Sequence, residues 1–113
     1  MDQPRFTVEI YTTPDGDSPL AEWIAGLDTS TRSRIQARIL RMEHTLGDYK
    51  RLQGVEELFE ARIFHGPGYR LYFTRLGDRI VILLCGGDKG SQKRDIAWAE
   101  KLRRQWLEET TGR

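Results

Sequence analysis

The chain has 113 residues, enough for one modest hydrophobic core, and its 38% apolar and 31% charged residues describe a polar globular domain over 1-113. No run of about 18 apolar residues is present to span a membrane, and no apolar stretch behind basic residues marks a secretory leader. Net charge is only +1 but unevenly spread. Arg5 faces six acidic residues over 1–31, whereas six basic residues face Glu43 and Asp48 over 32–54. Such a dipolar chain suits either a polyanion on one side or an ordinary solvated helix face.

Phe6, Val8 and Ile10 alternate with Thr7, Glu9 and Tyr11, the period-two pattern of a half-buried strand. Pro14-Asp15-Gly16 makes a turn, and Ser18-Pro19 opens a short helix carrying Leu20, Trp23, Ile24 and Leu27. Asp28-Thr29-Ser30 offers N-caps for a second, longer helix with an inward stripe of Ile35, Ile39, Met42 and Leu46. Its arginines fall mostly off that stripe. Residues 47–54 read as a polar connection.

A strand follows near 57–64, with Phe59, Ala61 and Ile63 on one face and Glu60, Arg62 and Phe64 on the other. Gly66-Pro67-Gly68 turns the chain into a second strand over Tyr69–Arg75, and Leu76-Gly77-Asp78 turns it into a third. Ile80–Cys85 shows no alternation, so that strand is expected to be covered on both faces and to end in the glycines from Gly86 to Gly90. Lone Cys85 lies within it, which excludes an internal disulfide, fits a reducing cytoplasm and reads as a small buried hydrophobe. Ser91 is positioned to cap a final helix with an apolar side of Ile96, Ala99, Leu102 and Trp106. The order strand–helix–helix–three-stranded antiparallel meander–helix predicts an α+β fold, with helices packed on a small, mostly antiparallel sheet.

Familiar catalytic spacings are absent: no P-loop, no Cys-x-x-Cys, no Gly-x-Ser-x-Gly. With only His44 and His65, no metal site and no cofactor are expected. What remains is a cationic strand surface with tyrosines on it. Arg70 follows the turn between Tyr69 and Tyr72, Arg62 lies across the hairpin, and Lys89 and Lys93 flank a helix N-terminus, where free amides favour anions. Lys50 and Arg51 add positive charge in the connection. RNA cleavage by an attacking 2′-hydroxyl needs little more than one proton acceptor, one proton donor and cations on the phosphoryl oxygens. Arginine suits the last task, tyrosines stack on splayed bases, and His65 carries an imidazole whose unperturbed pKa is about 6.5. Arg62 and Arg70 are equally suited to ion pairs with Glu56, Glu57 or Glu60.

Three pieces carry a resemblance: Leu58–Ile63, His65-Gly66-Pro67-Gly68-Tyr69-Arg70-Leu71-Tyr72-Phe73, and Leu83–Lys89 with Gln92–Ile96. Together they resemble the RelE/HigB/ParE-like toxins of bacterial type II toxin–antitoxin modules. The nearest branch is that of phage-derived addiction module killer proteins. The resemblance implies the element order read above. It also implies a metal-independent mRNA endonuclease acting at the ribosome, leaving a 2′,3′-cyclic phosphate and neutralised by a helix-turn-helix antitoxin. It puts a phosphate contact on Arg70, a basic strand residue on Arg62 and a cation after the last strand on Lys89. The tyrosine RelE carries in its last segment has no counterpart over Lys93–Trp98, where Asp95 stands near the place; His65 is offered as a substitute acid–base group on its own chemistry, not by the family motif. Alternatives within the same fold are a ParE-like gyrase inhibitor that cuts no RNA and a decayed toxin that retains only antitoxin binding. Tyr11, Trp98 and Trp106 serve either the core or an antitoxin-binding patch.

Overall fold

The computed structural model describes residues 3–111; Asp2, counted above among the N-terminal acids, lies outside them. The described chain runs β1 (Thr7–Ile10), α1 (Pro19–Ala25), α2 (Thr29–Arg41), β2 (Tyr49–Arg51), β3 (Phe59–Ile63), β4 (Tyr69–Leu76), β5 (Ile80–Asp88), a 3-10 turn (Lys89–Ser91) and α3 (Gln92–Thr111). The α+β architecture expected from periodicity is the one observed. One five-stranded sheet has the order β1-β5-β4-β3-β2, in which β1 pairs with β5 in parallel and every other pair is antiparallel.

Local chemistry explains the helix starts. The Ser18 hydroxyl accepts from the Ala21 amide with Pro19 next to it, and the Asp28 carboxylate accepts from the Thr31 amide and hydroxyl. Those two bonds, the hydroxyl's first, hold the Asp28 carboxyl below the usual carboxylate range. The helical pair covers one sheet face, where Leu20, Ile24, Ile35 and Met42 pack against Phe59, Ala61, Leu71, Phe73, Val81 and Leu83. On the opposite face α3 sets Ala99 and Leu102, with Ile96 and Trp106 at the margin, against Tyr72, Ile82, Leu84 and Cys85. The unalternating run of β5 therefore feeds both cores, and the strand lies between β1 and β4.

Several expectations need correction. Residues 49–51 form an edge strand on β3; three exposed side chains left no apolar signal there. Of the two readings open to Tyr11, the core is the one observed. It is buried under α3, with its hydroxyl donating to Glu109 at 2.7 Å, while Ile10 is 42% exposed. Arg38 is buried despite its charge because its guanidinium donates to the Leu46 and Asp48 carbonyls at 2.6 and 3.2 Å, closing the loop after α2. Leu46 is buried but lies beyond the helix. Gly86 and Gly87 continue β5 instead of ending it, and Asp88, not Ser91, caps the turn that leads into α3.

Candidate functional site

The hairpin of β3 and β4 builds the site. Its tip is a four-residue turn in which the Gly68 amide donates to the His65 carbonyl at 3.0 Å, with Gly66 and Gly68 both at positive φ. The Lys89 amide then donates to the Gly68 carbonyl at 3.1 Å, which brings the end of β5 against that tip. Arg62 and Arg70 are direct cross-strand partners on one face of the hairpin.

The result is a cleft of about 490 Å³ lined by Arg62, His65, Tyr69, Arg70 and Lys89 together with the turn backbone. All four residues expected to act in catalysis, and one of the two tyrosines, therefore share one cavity. Tyr69 braces its wall, with its ring 6.1 Å from that of Trp23 and 6.4 Å from that of His65. No acidic side chain lines the cleft among the described residues.

Beneath it lies a buried polar link that sequence reasoning offered only as one ion pair among several. Arg70 Nε donates to Glu60 Oε1 at 2.9 Å, and Gln92 Nε2 donates to Glu60 Oε2 at 2.9 Å. Glu60 is fully buried and the Arg70 side chain is 13% exposed. Both carboxylate oxygens are thus occupied, and β3, β4 and α3 are tied at one point. Arg70 spends its Nε on this bond and still reaches the cleft, so its terminal nitrogens are the part a phosphate would meet. Glu60 sets their direction. The period-two pattern placed Glu60 and Arg62 on one face, but nothing in it revealed that α3 covers Glu60 and leaves Arg62 half open.

The remaining assigned residues divide. Tyr72 is fully buried beside Glu60, its hydroxyl has no hydrogen-bond partner, and burial pushes its pKa up; it offers no face to a stacking base. The RNA-binding role expected of Tyr72 is corrected accordingly: its position opposite Glu60 and Cys85 turns the ring under α3. Lys93, Lys50 and Arg51 are exposed but do not line the cleft, and Arg51 pairs with Glu57 at 3.2 Å. Arg62 lies 3.7 Å from Asp48, a half-exposed pair worth little, and its buried Nε has no partner. Among the antitoxin-patch candidates, Tyr11 is buried, Trp106 is half-buried and Trp98 is 42% exposed. Among the described residues no group of three or more His, Cys, Asp or Glu stands together to hold a metal, and no helix is long and apolar enough to cross a membrane.

The sheet order and flanking helices define a RelE-like toxin fold. A solved structure of an arginine double mutant of the E. coli toxin RelE in the free state matches it with a TM-score of 0.63, covering 89% of this chain and 98% of that one at 13% identity. No protein-family model matches the chain. It belongs to the same family as a Haemophilus influenzae protein, described as uncharacterized, that is 38% identical over 99 residues spanning 86% of this chain and 94% of that protein.

Proposed function

We propose that this chain is one toxin domain of a type II toxin–antitoxin module, of the phage-derived addiction module killer type, acting in the cytoplasm as a metal-independent, ribosome-dependent mRNA endonuclease. The observation that carries this reading is the gathering of Arg62, His65, Arg70 and Lys89 in a single cleft that no carboxylate lines among the described residues. In the proposed step the substrate's 2′-hydroxyl oxygen attacks the adjacent phosphorus, forming the cyclic P–O bond as the P–O5′ bond breaks. The His65 imidazole accepts the hydroxyl proton and the Lys89 ammonium donates one to the departing 5′-oxygen. Arg62 and the terminal nitrogens of Arg70 hold the phosphoryl oxygens, where negative charge grows. The products are a 2′,3′-cyclic phosphate and a 5′-hydroxyl. A helix-turn-helix antitoxin is the proposed neutralising partner.

Lys89→Ala is the cleaner test variant, because Arg70→Ala strands the buried Glu60 carboxylate and confounds folding with chemistry. On inducible expression in a bacterial host, wild type should arrest growth with new 5′ ends on mRNA, and Lys89→Ala should lose both. A second reading, the ParE-like inhibitor of DNA gyrase, draws support from the commitment of Arg70 to Glu60 and the burial of Tyr72. Arrest without cuts would decide for it. No arrest by soluble wild type would leave the decayed toxin that binds only its antitoxin.

A further inference from the structure

We propose that Phe64 is a stacking platform for one base of a single-stranded RNA, set between two cationic grooves that hold the phosphates on either side of it. This rests on the ribonuclease reading above, with the scissile phosphate on the Lys89 side.

Phe64 follows the last residue of β3 just before the hairpin tip and is 78% exposed, the most exposed large apolar side chain among the described residues. A wet aromatic ring of this size leaves its apolar surface in water unless something covers it. Its surroundings show what would cover it. Besides the cleft with Lys89, Phe64 lines a second groove of about 350 Å³, and the two grooves share Arg62, Ile63 and Phe64 as a common ridge. Arg34 and Arg41 supply the far wall of the second groove from α2. They are seven residues apart, two turns on one side of the helix. Arg38 between them is spent on the Leu46 and Asp48 carbonyls. Asp48, the one acidic residue lining either groove among the described residues, lies against Arg62. An aromatic ridge with cations on both sides complements a chain of phosphates carrying bases.

The test is fluorescence anisotropy of the full chain with a labelled eight-nucleotide RNA, 2′-O-methylated throughout so that it cannot be cut. Phe64→Leu should weaken binding about 5- to 150-fold, since stacking contributes about 1–3 kcal/mol per base. Phe64→Tyr should restore it. The double variant Arg34→Gln/Arg41→Gln should reduce the salt slope by about 1.4. Equal affinity of Phe64→Leu and wild type overturns the platform and gives Phe64 to a protein partner; so does failure of wild type to bind at low salt. The cellular map of 5′ ends separates the two claims. Cuts by wild type with a neutral Phe64→Leu reject the platform alone, whereas RNA binding lost in Phe64→Leu without any cuts rejects the nuclease and keeps the platform.

Discussion

Glu60 shows how one side chain serves stability and site geometry together. Its carboxylate is fully out of water, yet both oxygens are bonded, one to Arg70 Nε and one to Gln92. Removing one partner of such a pair leaves the other charge desolvated, at about 3–5 kcal/mol. Glu60→Ala should therefore lower the urea midpoint by that equivalent with an unchanged slope. Glu60→Gln, which keeps one carbonyl acceptor, should lose less. Equal loss in the two would mean that Glu60 acts by volume and not by charge. Sequence alternation put Glu60 on the right face. It could not show burial, because a glutamate in a strand is ordinarily solvated and the covering element, α3, starts 32 residues later.

Elements meet most tightly where β5 passes between α1 and α3. The consecutive glycines 86 and 87 are pressed from opposite sides. A Cβ at Gly86 would stand 2.5 Å from the Trp23 ring, and one at Gly87 would collide with the Asp95 carboxylate. These glycines are there for space, not for turning, which is why reading them as a strand end was wrong. Gly87→Ala should push the Asp95 carboxylate off Ser91 Oγ, costing about 1–3 kcal/mol, with a thermal midpoint lower by roughly 4–8 °C per kcal/mol. Adding Asp95→Ala should recover part of the loss, and strict additivity in that cycle would refute the close approach. Where an element has a periodic apolar stripe or a capping residue, its place was legible, as for α1, α2 and α3. β2 was not: it is held by backbone pairing to β3 and by the Tyr49 ring lying 6.2 and 6.0 Å from those of Phe59 and Phe73, with no apolar alternation to mark it.

At the scale of the whole molecule, three groups buried on the α3 side of the sheet share one titration behaviour. Burial pushes the Tyr11 phenol and the Cys85 thiol each up to about 12, and the Tyr72 phenol is raised as well; the bond to Glu109 adds to the Tyr11 effect. All three folded values lie above the unfolded ones, so the native state binds more protons in between. Stability is then intact below about pH 8.5 and lost progressively as pH rises toward the folded values. Denaturant midpoints measured from pH 8 to 11 should fall, and Cys85→Ala should flatten the first part of that fall. A pH-independent midpoint would contradict the burial of these groups. The cleft was partly legible at this scale too. Arg62, His65, Tyr69, Arg70 and Lys89 were assigned from their strands and turns, whereas Tyr72 was misassigned and the groove of Arg34 and Arg41 was missed. Helix periodicity gives a face but not the strand end it will lie beside.

The parallel pairing of β1 with β5 sets a clock on biosynthesis. Thr7–Ile10 finds its partners at Ile80–Leu83, roughly 70 residues later in synthesis, which at 5–20 residues per second is on the order of 4–14 s of waiting. Lys89, which completes the cleft, and Gln92, which fixes Glu60, are added later still. No vectorial, piecewise folding can assemble the cationic surface ahead of these residues. An enzyme that acts on translating ribosomes in the manner proposed here would therefore have its own ribosome past Gln92 before it could attack one.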